Sequence, residues 1–185
     1  GVFRSIITDG ENIVSFSPPK SLEVNDFINK AGDERYWEYT DFVEGTMINM
    51  FVNPITNEWE IATRSNIGAR CRFYLDNEKT FRDMFLEAFN ERHYEFSMFD
   101  KNYSYSWVLQ HPDNRIVLPI SKPTLILTHV FKYYKIMQND GSICFKVENI
   151  LDPSNKYEFI RGETKISIPV EHEKKSIEDY KDMYN

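Results

Sequence analysis

The chain has 185 residues, 41% of them hydrophobic and 15% aromatic, enough to bury a full core as one domain, and glycine and proline are too sparse for a low-complexity chain. Its net charge of −7 excludes a broad cationic surface that holds nucleic acid through many phosphates, although a pocket needs only a few aimed lysines and arginines. No run reaches the ~18 apolar residues of a membrane span, and two cysteines and four scattered histidines give neither a disulfide framework nor a zinc site, so the expectation is an intracellular protein with no membrane partner.

The first predicted element is a hairpin. "VFRSIIT" (2–8) and "NIVSFS" (12–17) are rich in β-formers and separated by the turn signal "DGE", after which "SPPKS" (17–21) breaks the sheet. Leu22, Val24, Phe27 and Ile28 are spaced loosely as a short helix over 21–30. A second hairpin follows from "TMINMFV" (46–52) and "NEWEIAT" (57–63) around "NPIT". Thr80 and Asp83 form a capping pair ahead of Phe81, Met84, Phe85, Ala88 and Phe89, whose three- and four-residue steps predict a helix with a core-facing stripe.

Strands are predicted at "YSYSWVLQ" (103–110) and "RIVL" (115–118) around "HPDN", then at 124–134 and, past the "NDG" turn, in "SICFKV". Tyr103, Tyr105 and Trp107 share one face of their strand, where sheet packing is the ordinary role of such residues and base stacking the alternative. "TKISIPV" (164–170) reads as a strand and the acidic "SIEDYKDMY" (176–184) as a peripheral helix. The pattern is α+β with mainly antiparallel sheets and a few helices, in a core over 1–149 and a C-terminal extension over 150–185 packed on the same domain.

Three segments carry more than a fold class. They are "FRSIITDGENIVSFSPPKS" (3–21), "VEGTMINMFVNPITNEWEIATRS" (43–65) and "YSYSWVLQHPDNRIV" (103–117). In this order, across roughly 115 residues, they resemble the ATP-dependent RNA ligases of the covalent nucleotidyltransferase superfamily, particularly the ligase-like proteins of phages and large DNA viruses. The first looks like the strand pair and lysine-containing turn ahead of the nucleotide pocket, and the second like the nucleotide-binding hairpin that opens with an acidic residue and glycine and closes with Thr-Arg. The third is similar to a later strand ending in a P-x-N-R-I-V turn.

The resemblance implies a nucleotidyltransferase (ligase adenylation-domain) fold and a reaction in which a lysine amine attacks the α-phosphate of ATP with help from Mg²⁺. In that family the lysine stands two residues before the acidic one, and here the position is Phe42, which cannot form a phosphoramidate. Val108, Leu109 and Gln110 occupy the region where the family carries a glutamate. Downstream of residue 117 no second Glu-Gly strand or Lys-x-Lys pair follows, only Lys132 and Lys135 in "FKYYK". The reading is therefore a degenerate ligase relative that binds nucleotide, or single-stranded or nicked RNA, in the host cytoplasm if the protein is viral.

If such a protein acts, Lys20 and Glu44 would be catalytic, Lys20 as residual amine and Glu44 positioning nucleotide or Mg²⁺; Glu44, Gly45, Thr46, Arg64 and Arg115 would bind nucleotide, with no dedicated metal site. Read without the resemblance, Glu44 and Gly45 are a strand-entry pair, Arg64 a solvent-facing strand end, and Lys20 a solvated turn lysine. Asn114 and Arg115 would serve the "HPDNR" turn itself, and His111 has no carboxylate partner visible in the sequence. The alternative from another class is a non-catalytic structural or protein-interaction module whose ancestral pocket is filled by side chains such as Phe42.

Overall fold

The computed structural model describes residues 4–33, 35, 37–74, 78–114, 117–152, 159–161, 165–173, 176 and 179. In chain order its elements are β1 (Ile6–Thr8), β2 (Ile13–Phe16), α1 (Val24–Lys30), β3 (Thr46–Val52), β4 (Trp59–Ala62), α2 (Phe81–Glu91), β5 (Ser104–Gln110), β6 (Thr124–Met137) and β7 (Ile143–Asn149). The chain divides into two compact units, one made of Gly1–Lys20 with Glu44–Ile168, the other of Ser21–Val43 with Pro169–Asn185. The division thus falls at 20/21, 43/44 and 168/169.

The larger unit is built on an antiparallel five-stranded sheet in the order β4-β3-β5-β6-β7, beside the two-stranded β1-β2 hairpin. Strand alternation sorts its side chains. Ile48, Met50, Ile61, Tyr105, Trp107, Leu109, Leu125 and Leu127 lie in one core with Met84, Phe85, Ala88 and Phe89 of α2. The predicted aromatic alternation is thus a packing device, with Tyr105 and Trp107 fully buried and Tyr103 partly buried against the same core.

Helix α2 starts where the sequence placed it. Thr80 Oγ1 accepts from the Asp83 amide at 3.2 Å, and the Asp83 carboxylate accepts from the Thr80 amide at 2.9 Å. These bonds satisfy two otherwise orphaned donors, and the Thr80 hydroxyl donating to Asp83 Oδ2 at 2.7 Å, followed by the Thr80 amide, holds the Asp83 carboxyl below its usual range.

The opposite face of the sheet is partly covered by β2 and the residue after it. Phe16 meets Phe131 edge to face at 5.3 Å, Asn49 Nδ2 donates to Ser17 Oγ at 2.6 Å, and Ser106 Oγ donates to Asn49 Oδ1 at 2.8 Å. A chain of satisfied polar groups is what lets serine and asparagine sit inside without the cost of an unpaired buried group.

Two predicted strands are irregular backbone where they are described. Val117 and Leu118 lie in irregular backbone after a 3-10 turn at Pro112–Asn114, because their amides are taken by a side chain and not by a neighbouring strand; residues 115 and 116 lie outside the described residues. Residues 165–170 are also irregular. β6 pairs with β7 only from Phe131 onward, and Ser167 meets the open edge of β6 through one bond, its carbonyl accepting from the Leu127 amide at 2.8 Å. Of the predicted C-terminal helix only the start is described, where Ser176 Oγ donates to Asp179 at 2.7 Å and accepts from its amide at 3.1 Å.

The smaller unit holds α1, whose Phe27 packs on Trp37 with ring centroids 4.9 Å apart, while Trp37 Nε1 donates to the Ala31 carbonyl at 3.3 Å. Thr40 bridges to Glu171, and His172 Nε2 lies 2.5 Å from Asp41 Oδ1. No residue of α1 is fully buried.

Candidate functional site

The end of the sheet where β3 begins and β5 stops gathers two of the three segments singled out in the sequence. Gly45 has φ +147°, and a Cβ there would lie 2.5 Å from the Leu109 carbonyl oxygen and 2.6 Å from Val108 Cγ1. Only glycine lets the chain pass β5 this closely before Thr46 enters the ladder opposite Leu109.

That entry orients Glu44. Its carbonyl accepts from Gln110 Nε2 at 2.9 Å, and its carboxylate spans two backbone amides, Oε1 accepting from Val117 at 2.6 Å and Oε2 from Leu118 at 2.9 Å. Asn114 completes the junction by donating through Nδ2 to Thr46 Oγ1 at 2.8 Å. Asn114 is buried and serves the turn, as its residue type suggested. "EGT" and "HPDN" are therefore one structure, in which a charged acceptor neutralises two orphan donors.

The other predicted site residues are not drawn into this junction. Arg64 and Lys20 are exposed and have no partner among the described residues, and Glu44 and Arg64 share none. Arg115 lies outside the described residues. Phe42 is 94% exposed, so it fills no cavity, which corrects the expectation that its ring plugs a pocket.

Beside the junction lies a cluster that sequence reading missed. His111 is only 1% exposed; its Nδ1 accepts from the Asp113 amide at 3.1 Å, and its Nε2 lies 3.3 Å from Glu87 Oε2, outside good hydrogen-bond alignment. Lys79 Nζ joins Glu87 Oε2 at 2.6 Å to Asp113 Oδ2 at 3.0 Å. The Lys79 hydrogen bond holds the Glu87 carboxyl low, and Glu87 followed by Asp113 holds the Lys79 ammonium high. His111 thus has two carboxylates near it, where the sequence suggested none. Asp113 was visible two residues on, but Glu87 arrives on α2 and leaves no local signal.

Truncating the junction tests its structural part. Glu44→Ala is expected to lower stability by about 1.5–3 kcal/mol, the range for a charge-assisted bond whose partners stay behind. Urea denaturation reads this directly, and an unchanged midpoint would mean that the carboxylate does not hold the turn.

Among the described residues no group of three or more His, Cys, Asp or Glu side chains could hold a metal ion. No protein-family model matches the chain, and no solved structure matches it. The chain is similar to an RNA ligase of Rhodothermus phage RM378, with 27% identity over 144 residues that cover 65% of this chain. It spans 32% of the length of that phage protein. The relationship that the sequence similarity supports is RNA ligase-like.

Proposed function

We propose that this chain is an RNA ligase-like protein of the nucleotidyltransferase fold that binds nucleotide or RNA ends without forming a lysine–nucleotide bond. The observation that carries this reading is the junction itself: the Glu44–Thr46 strand entry and the turn after β5, both similar in sequence to ligase segments, meet through named hydrogen bonds. The similarity to the phage ligase supports the same class. A viral or phage-like source agrees with both.

ATP and Mg²⁺ are the cofactors such a protein would use in catalysis, and the residues at this end do not fit that use. Phe42 supplies no amine, and both oxygens of Glu44 are already engaged by backbone. No step of covalent transfer is derived through them. Lys20, Arg64 and Arg115 remain as cations for phosphate contacts, with Gly45 and Thr46 shaping the strand entry.

The test uses labelled ATP or GTP with Mg²⁺ followed by a denaturing gel, together with thermal titration against nucleotides and short single-stranded or nicked RNAs. No adduct is expected, and the melting temperature should rise with ligand concentration. A labelled band on the protein would overturn the first half. An unmoved melting temperature with all ligands would favour the second reading, a non-catalytic interaction module, which the engagement of Glu44 in purely structural bonds already suits.

A further inference from the structure

A cavity of about 550 Å³ lies between the β1-β2 hairpin and the face of β6 and β7, and its described lining residues include none of the Glu44 junction. Its walls include Phe16, Phe131, Phe145 and Val147, with His129 and Asn149 as the polar members. Among the described residues no Lys, Arg, Asp or Glu side chain lines it. The size is that of a small-molecule site, and the lining suits an uncharged, flat, largely apolar group.

The two polar members have hydrogen-bonding capacity to spare. The His129 ring lies nearly parallel to Phe131, with centroids 5.3 Å apart, and its Nδ1 has no partner among the described residues. Asn149 uses its amide oxygen to accept from the Val130 and Leu151 amides at 3.1 and 3.3 Å, which fixes its orientation and leaves its NH₂ as a donor. One ring nitrogen and one amide donor beside aromatic walls match the polar edge and faces of a nucleobase.

The rim adds charge of the right sign. Lys20 follows the cavity-lining Pro19, and Lys135 is the cross-strand partner of Phe145, so it stands on the cavity's face of the sheet. Both lysines are exposed and have no partner among the described residues. One cation from each wall suits a base with phosphate on both sides, which a strand has and a free nucleoside lacks.

We propose that this cavity takes one unpaired base of a single-stranded RNA, with Lys20 and Lys135 meeting the flanking phosphates. The proposal rests on the RNA-binding part of the function proposed above, and it names a site away from Glu44 and Arg64. Aromatic stacking holds the base, and the two lysines hold the backbone.

Fluorescence anisotropy with a short labelled oligoadenylate, its uridylate counterpart and an abasic ribose-phosphate strand of equal length tests it. The base-bearing strands should bind about tenfold more tightly than the abasic one. Val147→Trp, which fills the cavity, should remove that margin, and His129→Gln should reduce it should the tryptophan variant fail to fold by circular dichroism. Lys20→Ala with Lys135→Ala should keep the margin but lower the salt dependence of log K by about 0.7 for each lysine removed. If the margin survives in folded Val147→Trp, or the abasic strand binds as well, RNA binding stands and this cavity is not its base site. Free adenosine binding as tightly as the strand overturns the RNA assignment, and a wild-type protein that binds no strand overturns both readings.

Discussion

Gly45→Ala is expected to lower the stability of the larger unit by about 2–4 kcal/mol, at the severe end for a single added methyl group. Two terms act together. The backbone at +147° disfavours any side chain, and the new Cβ would overlap a backbone carbonyl oxygen that cannot move without breaking the β3–β5 ladder. At about 2–4 °C per kcal/mol for a chain of this size, the melting temperature should fall by roughly 4–16 °C. Gly141 is the control, since it also has positive φ, +80°, but nothing lies within 4 Å of its Cβ position. Gly141→Ala should cost about 1 kcal/mol. Equal losses in the two variants would show that close approach to Leu109 is not what keeps glycine at 45.

The second large effect is a loss of stability on mild acidification. Burial alone pushes the His129 imidazole from its ordinary 6.5 down to about 4. The unfolded chain therefore takes up a proton near pH 6.5 that the folded protein refuses, so this contribution is complete above pH 6.5 and drains away as the pH falls toward 4. The full difference corresponds to about 3 kcal/mol, and about 2 kcal/mol of it should be gone by pH 5. Carboxylates held low in the fold, such as Asp83 and Glu60, weaken the protein only at lower pH, where the unfolded chain's carboxyls begin to protonate. Urea midpoints of wild type and His129→Gln between pH 7 and 5 isolate the histidine. If the two curves run parallel, His129 is not held neutral by the fold.

Local order was legible in the amino-acid sequence wherever a short period or a short-range bond encodes it. The Phe81–Phe89 stripe and the Thr80–Asp83 pair sufficed for α2, and turn residues between runs of β-formers sufficed for the β1-β2, β3-β4 and β6-β7 hairpins. The expectation failed at 117–118 and 165–170, where β-prone residues found no continuous partner edge. Strand propensity describes a surface that fits a sheet, and only a neighbour in register turns it into a strand.

The candidate sites divide in the same way. Glu44, Gly45 and Asn114 could be picked out because each residue type suits its task, but that the carboxylate closes on Val117 and Leu118 was decided by β3 and β5 running side by side. The arrival of Lys79 and Glu87 beside His111 and Asp113, and the cavity beside His129, had no sequence signature. Their members come from helix and turn, or from hairpin and sheet, and periodicity carries no information about which distant faces meet. The sequence by itself determined which segments would be helix or strand and which face of each would be apolar, because those follow from spacing along one chain. Tertiary structure alone decided which charges pair and where space is left, because both depend on packing between segments far apart in that chain.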